Sequence, residues 1–76
     1  MKIQILGSGC AKCRALTAIA EQAARDMGLT YELEKVTDVK RFADLGVMFT
    51  PALVVDGSVK VSGKVPSLDE AKRLLG

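Results

Sequence analysis

The chain has 76 residues, 49% apolar and 26% charged, with a net charge of +2 and neither His nor Trp. That length holds one core and one domain, residues 1–76, since even a chain of about 60 residues buries only about 60% of its unfolded surface. Interspersed charge argues against a nucleic-acid arm, no apolar run nears the roughly 20 residues of a membrane span, and the missing His excludes Ser-His-Asp, Cys-His and imidazole–metal sites.

Lys2 to Leu6 has strand character, with Ile3 and Ile5 alternating with Lys2 and Gln4. Gly7-Ser8-Gly9 is a turn. From Ala11 to Met27 the period becomes helical: Leu16, Ile19, Ala20, Ala23 and Met27 form one apolar stripe in an Ala-rich run, and Gly28 stands where a left-handed cap is needed. Thr30 to Val36 is expected as a charged edge strand with Tyr31 and Leu33 inward and Glu32 and Glu34 outward. Asp38 caps a short helix, Val39 to Leu45, stopped by Gly46. Val47-Met48-Phe49 approaches the core, Thr50-Pro51 interrupts, and Ala52 to Val55 is a buried strand. Asp56-Gly57 is a hairpin signal that returns the chain as Ser58 to Ser62. Ser67-Leu68-Asp69-Glu70 is a capping box opening a last helix to Leu75.

The order β-α-β-α-β-β-α implies a parallel pair joined through a helix, followed by an antiparallel hairpin. The expected fold is therefore α/β, a four-stranded mixed sheet with helices on both faces. Tyr31, Phe42 and Phe49 are assigned to its core, and part of the Met48-Phe49 pair is left as an exposed apolar rim.

Chemistry concentrates in Cys10-Ala11-Lys12-Cys13, at the strand-to-helix turn. The N-terminus has no secretory h-region, which points to the cytoplasm, where a spaced cysteine pair serves redox or metal chemistry rather than stapling. Cysteines at i and i+3 of a helical turn lie about 5–6 Å apart, a span that a disulfide tolerates. Cys10 would meet the unpaired N–H groups and the positive end of the helix dipole, which favour a thiolate, and Lys12 and Arg14 add positive charge. Cys13, one turn further in, faces the interior. This asymmetry makes Cys10 the attacking and Cys13 the resolving sulfur, with Lys12 tuning the Cys10 pKa. The plainest alternative is a pair of small core residues. A soft-metal-binding or metal-transfer module is another, since thiolates suit copper(I) or zinc. Two ligands leave a tetrahedral zinc site open, however, and heavy-metal-associated domains run β-α-β-β-α-β. No resident metal or cofactor is expected.

Thr50-Pro51 precedes the third strand, whose start should lie beside the end of the first. Pro51 is then either a trans proline that opens a strand or a cis proline facing the cysteines, with the Thr50 backbone free to pair with a substrate strand.

These residues together resemble the thioredoxin/glutaredoxin superfamily, in particular the small "redox-active disulfide" thioredoxins of archaea and anaerobic bacteria. The likeness rests on residues 3–13, on Phe49-Thr50-Pro51-Ala52-Leu53-Val54-Val55-Asp56-Gly57, and on Ser62-Gly63-Lys64. It departs from typical thioredoxins, which carry Trp before the first cysteine and Gly-Pro between the pair, and from glutaredoxins, which carry Pro-Tyr there and Gly-Gly before the last helix. The buried acid beneath the cysteines of typical thioredoxins has no visible counterpart in this sequence, since the first strand offers only Gln4. The resemblance implies Cys10 as nucleophile, Cys13 as resolving cysteine, Pro51 as a cis-proline, and Thr50, Pro51 and Gly63 against the substrate. It further implies a monomer that reduces disulfide-containing target proteins and is recharged by a flavoprotein disulfide reductase of the thioredoxin-reductase type. A glutathione-dependent activity, with Lys12, Lys64 and the Thr50 backbone holding glutathione, is a further alternative.

Overall fold

The computed structural model describes residues 1–7 and 11–76. Among these the elements are β1 (Lys2–Leu6), α1 (Ala11–Asp26), β2 (Glu32–Val36), α2 (Val39–Asp44), β3 (Ala52–Val55), β4 (Ser58–Ser62) and α3 (Leu68–Leu75). Their order is the expected one. The strands form one mixed sheet, β2-β1-β3-β4. β1 runs parallel to β2 and antiparallel to β3, and the β1–β3 register sets Leu6 opposite Ala52. The end of β1 therefore lies beside the start of β3.

Strand alternation sends side chains to two covered faces. On one, Ile3, Ile5, Leu53, Val55 and Val61 pack with Leu16, Ala20, Ala23, Ala24, Ala71 and Leu75 from α1 and α3. On the other, Leu6, Val36, Val47, Ala52 and Val54 are covered by Phe42 and Leu45. Helices thus lie on both faces. Small alanines let α1 sit close to the sheet, and completely burying one larger side chain such as Leu16 contributes about 1.5–3 kcal/mol.

Local signals act as their chemistry dictates. The Asp38 carboxylate accepts from the Lys40 N–H at 2.9 Å, and the Ser67 hydroxyl accepts from the Glu70 N–H at 3.2 Å. Asp56 and Gly57 both have positive φ, 49° and 84°, as a tight two-residue hairpin of the primed type requires. The Asp56 carboxylate also accepts from the Lys2 N–H at 2.8 Å, tying the hairpin to the start of β1.

Three expectations are corrected. Met27 does not join the core: α1 ends at Asp26, Met27 is exposed, and Leu29 packs against the core instead, its N–H bonded to the Ala24 carbonyl at 2.9 Å. Phe49 is not a core residue but is 66% exposed, because Val47 already fills the space beside β3. Glu34 does not simply point outward. It lies half-buried on the α2 face, where Arg41 and Gln4 bind it. Tyr31 and Phe42 do pack against the two clusters.

Candidate active site around Cys13

Cys13 lies on the first turn of α1, on the buried side, 5% exposed. Its carbonyl accepts the Thr17 hydroxyl at 2.9 Å, one turn on. Across from it stands Gly7, the residue after β1. The Gly7 N–H donates to the Val36 carbonyl at 3.0 Å, which extends the β1–β2 pairing by one residue and fixes the Gly7 backbone. A Cβ on Gly7 would overlap the Cys13 Sγ and would stand 4.0 Å from the Pro51 Cα. Gly7, Cys13 and Pro51 thus meet where β1 ends, α1 begins and β3 is about to start. Ser8, Gly9 and Cys10 lie outside the described residues.

The Thr50–Pro51 peptide bond is cis. Pro51 is buried, and its carbonyl accepts from the Gly63 N–H at 2.9 Å. Gly63 has φ +81°, a conformation that favours glycine, and a Cβ there would press on the Phe49 Cβ at 3.1 Å. The Ser62 hydroxyl donates to the Phe49 carbonyl at 3.0 Å. These bonds hold residues 49–51 against the end of β4. Thr50 itself is exposed, and among the described residues its backbone has no hydrogen-bond partner. Met48 and Phe49 beside it are 86% and 66% exposed. Of the residues expected at the site, Cys13, Pro51, Thr50 and Gly63 gather here. Lys12 is exposed on the first turn of α1. Lys64 is paired with Glu70 at 3.7 Å.

A crevice of about 50 Å³ opens on the other flank of Cys13, lined by Ile5, Gly7, Cys13, Arg14, Lys35 and Thr37. The sequence showed neither this crevice nor the close approach of Gly7 to Cys13, because both arise from pairing between segments distant in the chain. The available signal was a residue without a side chain directly after a strand that leads into C-x-x-C. Among the described residues no three His, Cys, Asp or Glu side chains converge as a metal set.

A polar strap lies on the opposite face of β1. The Glu34 carboxylate accepts from Arg41 at 3.1 and 3.3 Å and from the Gln4 side-chain amide at 2.8 Å, with the Lys2 ammonium at 4.0 Å. Arg41 first, and then Gln4, holds its pKa down to about 2. Gln4 is nearly buried, and its side-chain amide is satisfied by this bond to the Glu34 carboxylate.

Sequence comparison bears on this arrangement. The family model described as a thioredoxin domain matches residues 1–76. A thioredoxin of Methanothermobacter thermautotrophicus is 40% identical over 75 residues, covering 99% of this chain and 97% of the relative. One of Methanocaldococcus jannaschii is 37% identical over 73 residues, covering 96% and 84%.

Proposed function

The chain belongs to the thioredoxin family of thiol–disulfide oxidoreductases, and from that premise we propose that it reduces disulfides in protein targets through Cys10 and Cys13. The observation that carries this reading is that Gly7 is packed against Cys13 on one side and faces Pro51 on the other, beside a Thr50 backbone that has no hydrogen-bond partner among the described residues. A buried second sulfur fits the resolving role, since it is shielded from targets yet adjacent to the chain end that leads back to Cys10. The exposed Thr50 backbone offers the main-chain groups with which an extended target segment forms a short antiparallel pairing, and Phe49 and Met48 provide an apolar edge for its side chains. The domain acts as a monomer in the cytoplasm, without a resident cofactor.

The exchange has two steps. The Cys10 thiolate attacks one sulfur of the target disulfide. That S–S bond breaks, a mixed disulfide forms, and the other target sulfur leaves as a thiolate and takes a proton from water. Cys13 then gives up its proton and attacks the Cys10 sulfur. The second target sulfur departs and is protonated, and a Cys10–Cys13 disulfide remains. The target has gained two electrons and two protons, and the protein dithiol has lost them. A flavoprotein disulfide reductase of the thioredoxin-reductase type returns them. Lys12 adds positive charge at the mouth of the site and favours the Cys10 thiolate.

Trapping tests the reading. Cys13→Ser should accumulate mixed disulfides with target proteins, because the second step is blocked while the attacking thiol remains. Cys10→Ser should accumulate none. Equal trapping by both variants would reverse or abolish the assigned roles.

A further inference from the structure

The two flanks of the site differ in chemistry, and the difference bears on which disulfides it takes; this inference rests on the disulfide-reduction reading above. On the β3 side lie Met48 and Phe49, exposed and apolar. On the β2 side the crevice beside Cys13 is lined by Ile5, Gly7, Cys13 and Thr37 together with Arg14 of α1 and Lys35 of β2, almost entirely through their carbon atoms. Arg14, Lys35 and the neighbouring Lys12 are all exposed, and among the described residues none of the three has an ion-pair partner.

The nearby carboxylates are occupied elsewhere. Strand alternation puts Glu34 on the opposite sheet face, where Arg41 binds it. Asp38 caps α2 by accepting from the Lys40 N–H. An approaching partner therefore meets, on one side of the cysteine, exposed cations that have no ion-pair partner among the described residues, and exposed carbon on the other. Charge of this kind at a rim mainly sets encounter rate and partner choice.

We propose that the protein targets of this site carry an acidic residue next to the reacting cysteine, and that its carboxylate pairs with the exposed Arg14 and Lys35 at the rim of the crevice. The crevice is small and lined almost entirely by carbon, so the carboxylate stays at its solvent edge beside the two cations rather than entering it. The pairing orients the target with its acidic side over β2 and its apolar side over Phe49, which fixes the direction in which its backbone lies along Thr50.

The test uses two synthetic peptides, each closed by one disulfide and identical except for Glu or Lys beside the reacting cysteine, with oxidised glutathione as a third substrate. Single-turnover oxidation of the reduced full chain is followed at low and at high salt. The Glu peptide should react about threefold to tenfold faster, as expected for one carboxylate meeting two exposed cations. The ratio should shrink toward unity near 1 M salt, where screening acts within about 3 Å. Charge reversal by Arg14→Glu with Lys35→Glu should invert the ratio, and the milder Arg14→Gln with Lys35→Gln should flatten it. Taking the ratio between peptides cancels any change in the reactivity of the thiolate itself. Equal rates for the two peptides at low salt would overturn this inference and leave disulfide reduction standing. Reaction with neither would overturn disulfide reduction, and this inference with it. Oxidation by glutathione disulfide as fast as by the Glu peptide would show that any small carboxylate-bearing disulfide suffices, and would overturn the assignment to protein targets.

Discussion

Gly7 and Cys13 are packed so closely that the place of a Gly7 side chain is already taken by the Cys13 sulfur. The Gly7 N–H is bonded to the Val36 carbonyl, so the strand end cannot easily withdraw. Gly7→Ala should therefore push Cys13 from its position. The expected result is slower reduction of insulin disulfides and a loss of about 1–3 kcal/mol in denaturant unfolding, the usual scale of overpacking. Most of the stability loss should vanish in a Cys13→Ala background, because the overlapping atom is then gone. A loss that persists undiminished in that background would locate the effect in the backbone instead.

Much of this arrangement was legible in the sequence, for local reasons. The strand and helix periods, the Asp38 and Ser67 caps and the Asp56-Gly57 turn each depend on residues within a few positions of one another. That Pro51 and Cys13 come to the same end of the sheet followed once β1 and β3 were expected to run antiparallel. What failed depended on competition for space. Phe49 and Val47 are both apolar and two residues apart, and only the packed core decides that Val47 is buried and the ring of Phe49 stays out. Met27 continues the helical stripe numerically but falls after the last helical residue, so Leu29 takes the inward place. Glu34 alternates with inward residues as a solvent-facing charge would, yet the sheet's second face is also covered, and Arg41 of α2 meets it there.

The Glu34 strap gives stability a dependence on acid. Its carboxyl is lowered from 4.5 to about 2 in the folded chain, through Arg41 foremost and then Gln4. A carboxylate with a depressed folded pKa contributes stability that is complete above the unfolded value and fades as pH falls through the folded one. The stability gap between the wild type and Glu34→Gln should thus hold steady above about pH 5 and close between pH 4.5 and about 2. Arg41→Ala should shift this fading upward, toward the ordinary carboxylate range. Chemical denaturation at a series of pH values reads it directly, and a gap that does not change down to pH 2 would mean that the strap is not held in solution.

The last prediction concerns why Cys10 attacks. It immediately precedes α1, which begins at Ala11 and has no acidic residue in its first turn. Helix N–H groups without intrahelical partners and the positive end of the dipole favour an anion there, and they commonly bring the first cysteine of such a motif from about 8.5 to about 7 or lower. Lys12 and Arg14 act in the same direction, but as exposed charges they add little, and salt weakens them. In Cys13→Ser, where Cys10 is the remaining thiol, thiolate absorbance near 240 nm should therefore rise in one step below the free-thiol value. Lys12→Glu in that background should move the step upward, and the displacement should be larger at low salt than at high salt. An unchanged step would remove Lys12 from the tuning of the site while leaving the helix contribution intact. A step at or above 8.5 would remove the helix contribution as well, and with it the physical reason for giving Cys10 the first attack.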